Sequence, residues 1–376
     1  MRIKRYLKPL IKADFGKGKI IIIYGARQVG KTTLIKEILA EHHNTVYYNC
    51  DQAEVARLFE EQNLAQLSSL VSAYNIIAID EAQRVNNIGL SLKLLVDTFP
   101  EKTFLVTGSS SLELAHKVTE PLTGRHFTHM LFPISLGEMR QTVDLATLLE
   151  TLDDRLIYGS YPEIVSQSDR TERRRRIEEI ANDYLFRDIL ALGAVRDIGI
   201  LRRLLQAVAL QIGSEVSTAE LANLLGIDRK TVVRYLDVCE QAFILFSLSP
   251  DQVNRRNAIA KQKKYYFYDV GIRNALLANF NQLSLRSDAG ALWENLQVIE
   301  RMKYNAAKQK TPLYTFWRSY QGNEIDLIEA FDGERTAFEM KLTGTTANKK
   351  SREYFLAEMK GTKFSIINRS NFIDYI

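Results

Sequence analysis

The sequence predicts an α/β protein in three parts: a parallel nucleotide-binding sheet, a helical region ending in a winged helix, and a second α/β domain. Three observations carry that expectation. The apolar run Ile20–Ile23 leads through a glycine-rich loop into a helical pattern, and strand and helix patterns then alternate to about residue 140. Residues 217–237 carry helix-turn-helix spacing. Beyond residue 310, short strand patterns enclose acidic residues within apolar runs. The expected divisions are 1–140, 141–275 and 276–376.

The first element to justify is the loop Gly25-Ala26-Arg27-Gln28-Val29-Gly30-Lys31-Thr32, a complete G-x-x-x-x-G-K-[ST] phosphate loop followed by Thr33. Its glycines let successive backbone N–H groups turn toward phosphate oxygens. Lys31 reaches the β and γ phosphates, Thr32 offers a hydroxyl to Mg²⁺, and the next helix starts on the anion. Thr45–Asn49 alternates as a strand, and 75–81 is a buried-strand pattern ending in Asp80-Glu81. At that position Asp80 holds Mg²⁺ through water beside Thr32, while Glu81 polarises an attacking water. Residues 103–109 and 125–132 supply two further strands, and 88–96 a helix. Thr107, Ser109 and Ser110 either contact the γ-phosphate and water or cap the next helix, and both readings stand. Arg125 is a candidate arginine finger acting across a subunit interface, which would make the protein a homo-oligomer.

GARQVGKTTL, IIAIDEAQR, VTGSSS and LTGR, in this order and spacing, resemble the prokaryotic AAA+ ATPases related to origin-recognition ATPases. The match is to ATP-binding proteins with a C-terminal domain of unknown function, and it continues through Tyr158–Glu163 and Phe186–Ile189. The resemblance implies an AAA+ P-loop parallel sheet, ATP as the nucleotide, and the roles just given to Lys31, Thr32, Asp80 and Glu81. Arg187 is the arginine available for a lid contact. No Asn-Lys-x-Asp guanine-reading pattern follows the nucleotide strands, which disfavours a GTPase.

In the middle region Ser217 caps a helix that stops at Gly226, and a second helix begins after a short turn. Ala222, Leu225, Val232 and Leu236 form its apolar contacts, leaving Arg229, Lys230, Thr231 and Arg234 for a DNA major groove. Two strand patterns, 243–248 and 265–269, flank a basic loop carrying Arg255, Arg256, Lys261, Lys263 and Lys264. That set reads as a winged helix, a module that binds either DNA or protein.

In the last region a Gln-Gly-Asn turn joins strand patterns around Trp317 and Ile325–Ile328, with Asp326 inside the second. Glu339 and Lys341 lie two apart on the next strand, hence on one face. With the helical Glu294 upstream, these positions resemble the PD-(D/E)xK nuclease core, a restriction-endonuclease-like α/β domain. The resemblance implies Mg²⁺ held by Glu294, Asp326 and Glu339, and Lys341 orienting water. The alternatives are an ordinary strand pair with a Glu–Lys surface ladder, and the same fold without cleavage.

Composition bounds these readings. At 46% hydrophobic and 25% charged residues the chain reads as soluble and globular, and its apolar runs fall short of the roughly 18 residues a membrane helix needs. Cys50 and Cys239 suggest neither a disulfide framework nor a metal cluster, so a cytoplasmic location is expected. A net charge of +5 permits nucleic acid without requiring it. The function expected is an ATP-hydrolysing protein acting on DNA, its nucleotide state gating the C-terminal domain. The alternative is a nucleotide-switched DNA- or protein-binding module with an inactive nuclease fold.

Overall fold

The computed structural model describes residues 3–108, 122–191, 195, 197–251, 262–319, 321–344 and 349–376, without the side chains of 183–188, 190, 191, 349 and 350. It divides into two compact units: residues 2–134 with 241–243, and residues 135–240 with 244–376.

The smaller unit is built on β1 (Ile20–Tyr24), β2 (Thr45–Asn49), β3 (Ile76–Asp80), β4 (Thr103–Gly108) and β5 (His126–Met130). All run parallel, in the order β2-β3-β4-β1-β5. β1, β3 and β4 are apolar runs because both faces are covered; Ile20, Ile21, Ile23, Ile77 and Ile79 are fully buried. Each such side chain contributes about 1.5–3 kcal/mol. After β1 the chain crosses to the far edge at β2, so β1 finds its neighbours later in sequence, in β4 and β5. The crevice beyond the carboxyl end of such a strand is where open α/β sheets bind ligands.

The larger unit opens with helices over Leu136–Arg140, Leu145–Tyr158, Pro162–Ser166, Arg170–Ala191 and Ile198–Leu210. β6 (Glu215–Val216), helices Thr218–Leu225 and Arg229–Gln241, β7 (Leu245–Pro250) and β8 (Lys263–Phe267) then form the winged helix. Ser217 caps the first of these helices and Gly226, at φ 68°, ends it. Val232, Leu236, Leu225 and Ala222 are buried at its centre. Helices Val270–Leu276 and Ala289–Ala307 lead to β9 (Leu313–Arg318), β10 (Glu324–Phe331), β11 (Glu334–Met340), helix Lys349–Glu358 and β12 (Lys363–Ile367).

Seven strands make one mixed sheet in the order β12-β11-β10-β9-β7-β8-β6. The strands of the winged helix and those of the C-terminal region therefore share a sheet, joined where β7 runs parallel to β9 at Ser249–Thr315 and Pro250–Phe316. The expected division at 275/276 passes through this sheet. Among the described residues no helix is long and apolar enough to cross a membrane.

A nucleotide site and a buried carboxylate site

The phosphate loop sits where β1 ends. Gly25 has φ 148°, and a Cβ there would collide with the Leu131 carbonyl, so only glycine lets the loop leave the strand beside the end of β5. Gly30 (φ 97°) starts helix Lys31–Leu39 from the left-handed region, and Gln28 also has positive φ (58°). The Lys31 ammonium is buried and donates to the carbonyls of Gly25 and Ala26, at 2.8 Å each. Arg5, which no sequence motif singles out, donates to the Val29 carbonyl at 2.8 Å and to that of Phe132 at 2.5 Å. It pins the loop to the residues after β5 from an N-terminal segment some twenty residues upstream.

Asp80 ends β3 with its carboxylate almost fully buried. The Thr32 hydroxyl donates to its Oδ2 at 2.7 Å, and the Tyr47 hydroxyl donates to the same oxygen at 2.5 Å. Oδ1 takes the hydroxyl proton of Thr107, whose oxygen accepts the Glu81 N–H at 3.0 Å. Beside the two readings of Thr107 stands a third role: its hydroxyl ties Asp80 to the Glu81 backbone. Glu81 occupies the left-handed region (φ 55°), and Gln83 donates to its carboxylate. Tyr47 was missed because only the pairing of β2 with β3 brings it to Asp80. Burial, then its bond to Asp80, raises the phenol's pKa well above the ordinary value. Thr32 and Asp80 present an all-oxygen donor set that suits Mg²⁺. Ser109 and Ser110 lie outside the described residues.

Arg125 stands apart from this constellation. Its carbonyl accepts the Ile20 N–H at 2.9 Å, so it lies beside the start of β1 whereas the loop follows the end, roughly 16 Å along the strand. Its guanidinium pairs with Asp97 at 2.7 Å. The side chain of Arg187 lies outside the described residues.

The basic clusters separate on inspection. Arg173 pairs with Asp154 of the helix Leu145–Tyr158 at 2.5 Å, while Arg174 pairs with Glu178 at 3.0 Å, Arg175 with Glu172 and Arg176 with Glu179 at 2.9 Å, all within their own helix; each arginine of the run has a carboxylate partner. On the second helix of the winged helix, Arg229 donates to the Thr218 hydroxyl at 2.8 Å and Thr231 donates to Asp228 at 2.6 Å. Those two hold the turn, while Lys230 and Arg234 are exposed. Arg255, Arg256 and Lys261 lie outside the described residues.

The C-terminal carboxylates do converge, but around a lysine. Lys264 of β8, expected in the exposed basic loop, is fully buried. Its ammonium lies 3.4 Å from Glu294 Oε1, donates to Glu324, and sits over the Phe316 ring at 5.3 Å from the centroid. Tyr266, also fully buried, donates to the same Glu294 oxygen at 2.7 Å. A Cβ at Gly213 would come within 2.9 Å of Glu294 Oε2, so the chain there closes over the carboxylate. Asp326 sits at a bulge between Ile325 and Ile328 and accepts the Met340 N–H at 2.7 Å. Burial pushes its pKa well above the carboxylate range, helped by the negative charges of Glu294 and Glu339. Glu294 is raised by burial against the opposing pull of Lys264. Glu339 pairs with Lys341 at 2.7 Å.

The residues expected to gather Mg²⁺ therefore do not fit a metal ion. Glu294 is engaged by Lys264 and Tyr266, Glu339 by Lys341, and among the described residues no three His, Cys, Asp or Glu side chains form a metal-holding group. The sequence signal that could have found Lys264 is its alternation with Tyr266, which puts both on one face of a strand.

Residues 17–140 match the family described as AAA domain, residues 149–283 a domain of unknown function (DUF8612), and residues 289–371 another (DUF4143). Uncharacterized proteins of Mycobacterium tuberculosis and Mycobacterium bovis are each 27% identical over 93% of this chain and 76% of their own length. An uncharacterized protein of Methanocaldococcus jannaschii is 23% identical over 91% and 80%. The Walker-type ATPase of Pyrococcus abyssi shares the fold over 73% of this chain and 96% of its own, at TM-score 0.50 and 15% identity. Residues 17–140 are thus similar to the AAA domain family, and the two regions that follow are similar to two domains of unknown function.

Proposed function

We propose that this chain hydrolyses ATP and uses the nucleotide cycle to control a DNA-binding module. The observation that carries the first half is the chain of contacts Thr32–Asp80–Thr107–Glu81, in which one hydrogen-bonded path ties a cation-binding pair to the backbone of the residue that supplies the base. Backbone N–H groups of the Gly25–Thr33 loop and Lys31 would bind the phosphates. Thr32 and Asp80 would hold Mg²⁺, which neutralises phosphate charge when bound. Glu81 takes a proton from water as its oxygen attacks the γ-phosphorus and the bond to the β–γ bridging oxygen breaks, leaving ADP and phosphate.

Lys31→Ala is expected to abolish ATP binding. Glu81→Gln should retain binding and slow turnover by about 10²–10⁴-fold, the usual contribution of a general base. Normal hydrolysis by Glu81→Gln would show the base assignment to be wrong. Arg125 lies too far along β1 to serve the loop of its own chain, so its use as an arginine finger requires a homo-oligomer. Mixing Lys31→Ala with Arg125→Ala protein should then restore turnover that neither has alone; no recovery removes the role.

DNA is the partner that the exposed Lys230 and Arg234 favour. For the C-terminal domain, the pairing of Lys264 with Glu294 and Glu324 favours the alternative in which a nuclease fold serves as a scaffold without cleavage. Metal-dependent DNA cleavage that disappears in Asp326→Ala would reverse that choice.

A further inference from the structure

Four carboxylates, Glu294, Glu324, Asp326 and Glu339, lie in one region of the larger unit with two lysines among them. Lys341 is partly exposed and pairs with Glu339, two residues before it. Lys264 is different: it arrives from a strand of the winged helix, is fully buried, and addresses carboxylates from two other elements, helix Ala289–Ala307 and β10. A buried ammonium without partners would cost several kcal/mol, and so would the carboxylates without it. Opposite charge in contact makes both tolerable. Tyr266 and the close approach of Gly213 complete the enclosure of Glu294.

We propose that Lys264 is the resident cation of this site: its ammonium takes the electrostatic place that a divalent ion holds in a metal-dependent nuclease core, so the domain is stable and functional without metal. The proposal rests on the reading of the domain as a non-cleaving nuclease fold, and adds the residue responsible. It also explains why the winged-helix strands and the C-terminal strands share one sheet, since the counter-ion for the second region is carried on β8 of the first. Withdrawing that charge leaves Glu294 and Glu324 without the cation they share, and carboxylate oxygens are the donors a hard divalent cation takes.

The test is Mn²⁺ binding to the full-length protein without nucleotide, followed by electron paramagnetic resonance. Wild type and Asp326→Asn should take up Mn²⁺ identically. Lys264→Met should bind at least about tenfold more tightly than wild type, because a unit positive charge beside two carboxylates has been removed. Glu294→Gln added to Lys264→Met should abolish the gain. A folded Lys264→Met that gains no Mn²⁺ overturns the proposal. So does wild-type uptake that depends on Asp326, a measurement that needs no lysine variant to fold. If Lys264→Met unfolds, Mn²⁺ must restore its circular dichroism and cooperative melting; failure to do so also counts against the lysine's role. Wild type that cleaves DNA with Mn²⁺ defeats the scaffold reading as well. A variant without Mn²⁺ gain, beside a wild type that does not cleave, defeats only the inference about Lys264.

Discussion

Gly159 and Gly226 both hold positive φ, 80° and 68°, but a side chain at the two positions would meet different surroundings. At Gly226 nothing lies within 4 Å of a Cβ, so alanine would meet only backbone strain, about 1 kcal/mol. At Gly159 a Cβ would land on the Asp269 carboxylate. That carboxylate accepts the Ser160 N–H at 2.7 Å and the Gly271 N–H at 2.8 Å, so it cannot move aside without orphaning both. Full burial raises the Asp269 pKa, opposed by those same bonds. Gly159→Ala should therefore cost about 3 kcal/mol or more, several times the loss in Gly226→Ala, as measured by chemical denaturation. Equal losses would mean that the contact with Asp269 relaxes freely. The motif at Tyr158–Glu163 was legible in sequence as a family signature, yet its physical role was not. Asp269 lies more than a hundred residues downstream, and no local pattern links the two. Tyr47 shows the same limit at the nucleotide site. Tyr47→Phe keeps the ring and deletes one donor to Asp80, and is expected to lower ATP turnover several-fold while leaving ATP affinity nearly unchanged; unaltered turnover would reduce Tyr47 to packing.

At the scale of elements, local patterns were read well and long-range ones were not. The loop after β1 was legible because its residues are consecutive and because a buried strand and a helix bracket it. The two helices of the winged helix were legible through the Ser217 cap, the Gly226 stop and the apolar spacing between them. What the sequence could not sort was which polar residues on those helices are spent on the helices themselves. Arg229 is tied to Thr218 and Thr231 to Asp228, both within the motif, so they hold the turn that presents Lys230 and Arg234. DNA binding should accordingly weaken in the Lys230→Ala, Arg234→Ala double variant. If both residues meet phosphates, the slope of log affinity against log salt should fall by about 2. Substituting Arg174 and Arg175 should leave that slope alone, since each is already paired with a glutamate on its own helix. Binding that survives the first change and not the second would move the DNA surface to the long helix. Lys264 was misplaced for a related reason. Its neighbours in sequence are basic, so the run read as one solvated loop, whereas the strand period sends alternate residues to opposite faces.

At the scale of the whole larger unit, the two regions of unknown function are held together by more than their common sheet. Arg273, in helix Val270–Leu276, and Arg286 both bind Asp288, which stands at the start of helix Ala289–Ala307. Arg286 reaches it at 2.8 Å through two nitrogens, and Arg273 at 2.5 Å. One carboxylate thus joins two guanidiniums, both buried, at the point where one region passes into the next. The hydrogen bond from Arg286, then the charge of Arg273, hold the Asp288 pKa well below the ordinary carboxylate value. Because the folded pKa lies below the unfolded one, this carboxylate contributes stability that is fully present above about pH 4, and loses it as pH falls toward the folded value. Asp288→Asn keeps the shape and removes the charge, so it should melt at a lower temperature than wild type at neutral pH. Below about pH 4 the wild type should lose stability more steeply than the variant, and the two melting temperatures should converge. A melting difference that stays constant between pH 7 and pH 3 would mean that the junction is held by packing and by the β7–β9 pairing rather than by this ionised carboxylate.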